Sequence, residues 1–338
     1  MTTTHPDTLA ALRQAAAIVH AVMPATPQYR WPLLELPFAA RPDDGTELWV
    51  KHENHTPVGA FKIRGGLVYF ERWMAGQDRP AGVLSANRLG GVVTATRGNH
   101  GQSVAFAAAR HGVPALIVVP HGNSREKNAA MRALGAELVE HGDDFQAARE
   151  YAMQLADERG WAMLPSFHPD LVAGVASYAL ELFDAVSALN TVYVPIGLGS
   201  GACGLIAARD ALGLATEIVG VTSTHAPAYA LSLASGQAQS HAVTTVLADG
   251  MAVRTPDAEA LTLLRQGLAR VVEVSDTEVA QAMVRLYEAT HQVAEGAGAA
   301  ALAAAWQERG QLAGRCTAVV LSGSNLDRKR YAEVLAAP

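Results

Sequence analysis

The sequence predicts an α/β protein in which mostly parallel sheets are flanked by helices. From about Val92 onward, short β-branched runs alternate with helical patterns at the spacing of strand–helix units. Glycine-containing turns join two of these strands to the helices that follow them. The chain has 338 residues, half of them hydrophobic, which is too long for one ordinary core, so we expect two lobes.

The elements fall into two series along the chain. The first series is predicted to contain strands over Val92–Thr96, Ala115–Val119 and Glu137–Val139, with helices over Gln102–Arg110, over Ser124–Leu134 and up to Arg159. The second is predicted to contain helices over Leu171–Val186 and Gly204–Leu212, with strands over Thr191–Ile196, Glu217–Val221, Val271–Val274 and Thr317–Leu321. Ser275 and Glu278 have the capping-box spacing for a further helix that begins at Asp276.

Composition and charge exclude several classes of protein. The net charge is -6, and the longest basic run is Arg328-Lys329-Arg330, so we expect no nucleic-acid partner. Two cysteines match neither a disulfide framework nor a zinc site, which favours a reducing cytoplasm. Residues Met1–Met23 resemble an amphipathic helix that ends at Pro24 and not a secretion signal, and no apolar run is long enough to span a membrane.

Lysine is scarce in this chain, and one lysine has unusual neighbours. Only Lys51, Lys62, Lys127 and Lys329 occur among 26 lysine and arginine residues. Lys62 is flanked by apolar residues and by glycines, which favours a desolvated amine that could form an imine with an aldehyde. From the same local patterns we expect the other three lysines to lie at the surface, and an ordinary amphipathic role stays open for Lys62.

Two strand-to-helix turns are candidate anion sites. The segment from Thr96 to Gln102 would present backbone N–H groups at a helix N-terminus, where a carboxylate could bind, although a polar capped turn is the alternative. The segment from Gly197 to Gly204 follows an apolar strand and is placed to cradle a phosphate. Its G-x-G-x-x-G spacing also fits a dinucleotide, but Thr222 and Ser223 follow the next strand, where dinucleotide folds carry Asp or Glu.

Three further segments leave their roles open. The segment from His52 to His55 is one residue short of H-E-x-x-H, so a metal site is disfavoured and histidines with ordinary hydrogen bonds are expected. The turn that begins at Ser322 follows the last strand, at the edge of a sheet where ligands of α/β proteins collect. Glu295 precedes an alanine-rich helix and either caps that helix or faces a ligand.

In combination and in this order, the segments resemble the serine/threonine dehydratase and serine racemase family. The resemblance runs from about Leu48 to Asp327. The matching motifs are Ala60-Phe61-Lys62-Ile63-Arg64-Gly65, Thr96-Arg97-Gly98-Asn99-His100, Gly197-Leu198-Gly199-Ser200-Gly201 and Ser322-Gly323-Ser324-Asn325. The resemblance implies the two-lobed fold type II of pyridoxal-phosphate enzymes. It implies a small substrate-binding domain over residues 67–166, inserted into a cofactor-binding domain of residues 1–66 and 167–338.

The resemblance also implies a role for each motif. Lys62 would bind the aldehyde of pyridoxal 5'-phosphate and act as the catalytic base, with Phe61 beside the ring. Thr96, Arg97, Gly98, Asn99 and His100 would bind the substrate, and Asn99 would also lie near the ring hydroxyl. Gly197, Leu198, Gly199, Ser200 and Gly201 would bind the cofactor phosphate, and Ser322 would face the pyridine nitrogen. Asp249 and Glu295 also fall on family positions.

The activity implied is an ammonia-lyase that converts a β-hydroxy-α-amino acid to a 2-oxo acid and ammonia. The substrate would be of the threonine or serine type, with phenylserine or 3-hydroxyaspartate open. A racemase or a β-replacement enzyme of the same fold is the alternative, and a dinucleotide-dependent oxidoreductase or a non-catalytic binding protein is disfavoured. We expect a cytoplasmic homodimer without feedback regulation.

Three departures from the family pattern qualify these implications. Arg97 replaces the usual small residue, which is a serine in the racemases, so we expect dehydration to exceed racemization. The family's glycine tetrad is altered in the segment Gly197-Leu198-Gly199-Ser200-Gly201. The stretch after Val221 has Thr222, Ala226 and Ala228 where metal-dependent relatives carry carboxylates, so we expect no metal ion.

Overall fold

A computed structural model describes residues 8–41, 43–76 and 90–337. The strands are β1 (Gln28–Arg30), β2 (Glu47–His52), β3 (Val92–Ala95), β4 (Ala115–Val119), β5 (Glu137–Glu140), β6 (Ala162–Met163), β7 (Thr191–Pro195), β8 (Glu217–Ser223), β9 (Arg270–Val274) and β10 (Cys316–Leu321). The helices are α1 (Leu9–His20), α2 (Pro32–Glu35), α3 (Lys62–Met74), α4 (Asn99–Arg110), α5 (Arg125–Ala133), α6 (Phe145–Arg159), α7 (Pro169–Ala185), α8 (Ser200–Ala211), α9 (Ala228–Ser235), α10 (Ala258–Gly267), α11 (Asp276–Thr290), α12 (Gly296–Gln307) and α13 (Arg328–Ala336).

The strands form two separate sheets. The larger sheet has the order β1-β2-β10-β7-β8-β9 and is parallel except for β1, which pairs antiparallel with β2 at one edge. The smaller sheet has the order β5-β4-β3-β6 and is parallel throughout. The predicted α/β class, with mostly parallel sheets flanked by helices, is therefore confirmed.

Both faces of the larger sheet are covered, which explains why its central strands are apolar throughout. In β7, Val192 and Val194 pack into a core with α7 and α8, whereas Tyr193 between them packs into a second core with the alanine-rich α12. All five residues of β7 are buried. Continuous apolar strands are typical of parallel sheets with helices on both faces.

The order of strands in the larger sheet indicates where a ligand-binding crevice lies. From β7 the chain moves outward through β8 to β9, whereas β10 and β2 lie on the other side of β7. Ligands of open α/β sheets bind at such a switch point, beyond the carboxyl ends of the strands. The glycine turn from Gly197 follows β7 and Ser322 follows β10, so both reach this crevice.

Two helices begin earlier than the sequence pattern predicts. α4 begins at Asn99 and not at Gln102, and α8 begins at Ser200 and not at Gly204. In both turns a glycine with positive φ precedes the helix: Gly98 has φ 150° and Gly199 has φ 106°. Glycine adopts these angles without the steric penalty of a side chain, so the helix starts directly after it. The polar residues of each turn therefore lie in the first helical turn.

Other local predictions agree with the structure. The Ser275 hydroxyl accepts a hydrogen bond from the Glu278 N–H, and the Glu278 carboxylate accepts one from the Ser275 N–H, which completes the capping box at the start of α11. The predicted bounds of β4 are those observed. Of the N-terminal helix, α1 covers residues 9–20, and Met1–Asp7 lie outside the described residues.

The proposed domain boundaries stay a prediction. The boundary between residues 66 and 67 lies inside α3, and the boundary between 166 and 167 lies in the connection from β6 to α7. The smaller sheet lies entirely within residues 67–166, and the larger sheet lies outside that range. Among the described helices none is long and apolar enough to cross a membrane.

Candidate active site

A cleft of about 1550 Å³ lies between the carboxyl ends of the two sheets. Its lining includes Lys62, the turn that precedes α4, and Leu198 from the turn that precedes α8. Parallel strands collect ligands at their carboxyl ends, and enzyme sites are commonly concave and formed between lobes. The cleft therefore brings together Lys62, the turn that precedes α4 and part of the glycine turn, which come from distant parts of the chain.

Lys62 is the first residue of α3 and faces this cleft. The Phe61 N–H donates to the Ser322 carbonyl at 3.1 Å, and a bridge joins Ala60 to Gly323, so the lysine is held against the end of β10. The amine Nζ lies 4.9 Å from the centre of the Phe61 ring. Burial lowers the pKa of Lys62 to about 8, although the charge of Glu295 opposes this shift. A larger fraction of the amine is therefore neutral near physiological pH.

The glycine turn forms a narrow cradle next to this lysine. A Cβ on Gly197 would lie 2.4 Å from the Gly250 carbonyl, and one on Gly201 would lie 3.4 Å from the Phe61 ring. The Tyr229 hydroxyl donates to the Leu198 carbonyl at 2.9 Å and fixes the turn. The first N–H groups of α8, from Ser200 onward, have no acceptor within the helix. An anion with several oxygens fits such a cradle.

The segment from Thr96 to His100 supplies a second anion site. The Thr96 hydroxyl accepts hydrogen bonds from the N–H groups of Gly98 at 2.9 Å and Gly101 at 3.3 Å. This leaves the N–H groups of Asn99 and His100 directed outward at the start of α4. Burial, and then the charge of Lys62, lowers the pKa of His100 to about 3, so its imidazole is neutral at pH 7.

Ser322 presents a hydroxyl without a partner. The residue is 4% exposed and lies directly after β10. Its carbonyl accepts from Phe61, but its hydroxyl has no hydrogen bond with any residue of the described ranges. The hydroxyl is not fully enclosed by protein atoms, so a ligand atom can reach it.

A buried polar network connects the two sides of the cleft behind this site. Asn99 donates to Glu295 at 2.6 Å, and Asn325 donates to the side-chain oxygen of Asn99 at 2.9 Å. The Lys127 amine lies 3.1 Å from the other oxygen of Glu295 and 2.7 Å from Asp249. Burial raises the pKa of Glu295, and the charge of Lys127 opposes that rise. Glu295 thus faces this network and does not cap α12 with its side chain.

The prediction that Lys127 lies at the surface is wrong. Its side chain is 3% exposed. The polar pattern of α5 suggested a solvent-facing helix, but the two carboxylates that neutralise this lysine come from residues more than a hundred positions away in the chain. A buried lysine is tolerated when such partners are present.

A second buried ionic cluster lies beneath α3, and no local pattern in the sequence predicted it. Arg64 is fully buried and contacts Glu53 at 2.7 Å and Glu181 at 2.6 Å. Lys51 contacts Glu181 at 2.6 Å with its side chain 0% exposed, so the prediction that Lys51 lies at the surface is also wrong. Arg64 follows Lys62 by two residues, and the cluster therefore anchors the first turn of α3.

The histidines of the segment from His52 to His55 form ordinary hydrogen bonds with neighbouring residues. His52 ends β2 and accepts a hydrogen bond from the Trp31 indole at 3.0 Å, while His55 contacts Gln292 at 2.7 Å. Throughout residues 8–41, 43–76 and 90–337, no group of three or more His, Cys, Asp or Glu side chains is arranged to hold a metal ion.

The site fits pyridoxal phosphate on its own geometry. Lys62 opens onto the cleft, and its amine with lowered pKa, the N–H cradle and the Ser322 residue with its unpartnered hydroxyl all adjoin Phe61, as an aldehyde, a phosphate and a ring nitrogen require. A dinucleotide would need a carboxylate at the end of β8, where Thr222 and Ser223 stand.

Comparison with known proteins agrees with this chemistry. Residues 25–323 match a family model described as pyridoxal-phosphate dependent enzyme. The L-threonine ammonia-lyase of Geobacter sulfurreducens is 37% identical over 293 residues, which cover 86% of this chain and 70% of that protein. The L-threonine ammonia-lyase of Thermotoga maritima is 33% identical and covers 84% of this chain and 68% of its own length.

Solved structures extend the agreement to the fold. The structure of the processed form of threonine deaminase isoform 2 from Solanum lycopersicum superposes with a TM-score of 0.81 at 26% identity, covering 98% of this chain and 94% of that one. These relatives confirm the predicted fold type II, the pyridoxal-phosphate cofactor and the assignment as a lyase. The chain belongs to the pyridoxal-phosphate-dependent enzymes of the dehydratase and racemase type.

Proposed function

We propose that the chain removes water and ammonia from a small β-hydroxy-α-amino acid to give a 2-oxo acid, with Lys62 as the catalytic lysine. The observation that carries this proposal is the position of the Lys62 amine. It faces the cleft and lies over Phe61, which adjoins both the glycine cradle and Ser322, and its pKa is lowered to about 8. The names of the relatives, which are threonine ammonia-lyases, support the choice of a β-hydroxy substrate.

We assign the cofactor contacts to the residues that surround Lys62. The N–H groups of the turn from Gly197 to Gly201 would hold the phosphate, and Ser322 would face the pyridine nitrogen. Phe61 would lie beside the ring, and Asn99 would lie near the ring hydroxyl. When bound, pyridoxal phosphate supplies an electron sink for the negative charge that develops on the α-carbon of the substrate.

The residues of the chain then bind the substrate and move its proton. The N–H groups of Asn99 and His100 at the start of α4 would hold the α-carboxylate, as helix N-termini hold anions. The neutral Lys62 amine would take the α-proton, because an amine with a pKa of about 8 is a competent base near neutral pH. Neutral His100 would bound the site without adding a charge.

The test is 2-oxo acid release from a panel of L-threonine, L-serine, phenylserine and 3-hydroxyaspartate, run in deuterated water. We expect release from at least one member and little D-enantiomer, because the guanidinium of Arg97 cannot act as the second base that racemization requires. No 2-oxo acid from any member would overturn the proposal. D-enantiomer formed as fast as 2-oxo acid would favour a racemase instead.

A charge change at Ser322 should alter the chemistry of the site. In Ser322→Asp, a carboxylate would hold a proton on the ring nitrogen, so we expect a shifted visible absorbance and about tenfold slower elimination relative to α-proton exchange. Ser322→Asn has similar size without the charge and is the matched control. If both variants keep the absorbance and rates of the parent, Ser322 does not face the ring.

We further propose that the protein is a metal-independent homodimer of the cytoplasm. Leu33 and Leu36 are 66% and 67% exposed, which supports an apolar contact between subunits. Cys203 and Cys316 are buried and form no disulfide, as a reducing compartment favours. Thr222, Ala226 and Ala228 provide few ligands for a hard cation.

A further inference from the structure

Arg97 is a cation without a counter-charge inside the cleft. It lies between β3 and α4 and lines the same cleft as Lys62. Its Nε is enclosed and has no hydrogen-bond partner. No hydrogen bond or ion pair joins its guanidinium to another residue of the described ranges. A guanidinium stays protonated at any physiological pH, so this charge is permanent.

Three acidic groups in this part of the structure are already paired with other residues. Asp249 and Glu295 are both paired with Lys127. Asp144 caps α6 through the Ala147 N–H at 2.8 Å and pairs with Arg254 at 3.1 Å. Arg97 is partly buried and its Nε is enclosed without a partner, whereas enclosed polar groups are normally hydrogen-bonded. The missing partner of Arg97 is therefore expected to be an anionic group of the ligand.

Two anionic groups of the reactants already have binding groups. The N–H groups of the turn from Gly197 to Gly201 suit the cofactor phosphate, at the carboxyl end of the larger sheet. The N–H groups of Asn99 and His100 suit the α-carboxylate of the substrate. A third anion is needed to neutralise Arg97, and only the side chain of the substrate remains to supply it.

We propose that Arg97 forms a subsite for an anionic group on the β-carbon, which makes a β-hydroxy-α-amino dicarboxylate, of the 3-hydroxyaspartate type, the preferred substrate class. This proposal rests on the proposed dehydratase function. The guanidinium offers two parallel N–H donors that match the two oxygens of a carboxylate. A methyl group, as in threonine, would leave both donors unpaired.

The test compares substrates and non-reacting ligands in the holoenzyme. We measure kcat/KM for 3-hydroxyaspartate and for L-threonine in the parent, Arg97→Gln and Arg97→Lys, together with calorimetric binding of succinate and butyrate. For Arg97→Gln we expect about 10- to 100-fold lower kcat/KM for 3-hydroxyaspartate and a similar loss of succinate affinity, the size expected for a charge-assisted hydrogen bond. Threonine kcat/KM and butyrate affinity should change less than about threefold, and Arg97→Lys should restore part of the loss.

Arg254→Gln is the matched control, because Arg254 lines the same cleft but is already paired with Asp144. It should leave the ratio of the kcat/KM values for the two substrates unchanged.

An equal loss of kcat/KM on both substrates in Arg97→Gln would overturn the proposal and would place Arg97 on the α-carboxylate. No loss on either substrate would also overturn it, because Arg97 would then contact no substrate. Threonine turnover without 3-hydroxyaspartate turnover in the parent would overturn this inference alone. If no substrate reacts, the proposed function fails, while the succinate-to-butyrate comparison still tests Arg97.

Discussion

Lys62→Ala is expected to lower kcat by roughly a thousandfold or more and to abolish the visible absorbance of the lysine-bound cofactor. The fold should persist, because the contact that ties this residue to α4 uses its backbone carbonyl, which accepts from the Ser103 hydroxyl at 2.7 Å. Alanine retains that carbonyl. The measurements are turnover, visible absorbance and circular dichroism.

Borohydride reduction followed by peptide mass analysis identifies the modified lysine independently. It should label Lys62 in the parent and no lysine in the variant. Lys329→Ala is the matched control, because Lys329 is exposed at the start of α13 and should be dispensable. A Lys62→Ala protein that stays active and coloured would contradict the assignment of Lys62 as the catalytic lysine.

Arg64→Met is expected to lower the free energy of unfolding by about 3–5 kcal/mol, because it leaves the carboxylates of Glu53 and Glu181 buried without their main partner. The measurement is urea-induced unfolding. Arg30→Met is the matched control, because Arg30 also pairs with a glutamate, Glu35, but its side chain is 41% exposed. An exposed pair contributes about 0–1 kcal/mol, so equal losses in the two variants would contradict the role of burial.

The same cluster predicts how stability depends on pH. Burial raises the pKa of Glu181, but Arg64 and then Lys51 more than reverse that effect and hold it at about 2. The pKa is thus lower in the folded state than its ordinary value of 4.5, so this stabilisation is present above about pH 4.5 and is lost as the pH falls toward 2. The difference in stability between the parent and Arg64→Met should shrink over that interval. A difference that stays constant would show that Glu181 is not held by Arg64.

The elements of the fold that the sequence predicted well are those specified within a short window. The apolar run of β4 lies between turn residues, and its bounds were predicted without error. The capping box of α11 needs only Ser275 and Glu278, three positions apart. The starts of α4 and α8 were predicted too late, because the backbone angles of Gly98 and Gly199 are set by the packing around each turn. A pattern of residue types does not contain those angles.

By itself the sequence determined the α/β class and the order of the four motifs, and it predicted Lys62 as the reactive amine. The roles of the individual site residues stay predictions, but the structure places Lys62, residues 96–100 and Leu198 around one cleft. Only the tertiary structure decided which lysines are buried and that Arg97 has no partner within the cleft among the described residues. The reason is that the free energy of a buried charge depends on its counter-charge. For Lys51, Lys127 and Arg64 a carboxylate partner lies 100 or more residues away in the chain, and for Arg97 no partner is supplied by the described residues.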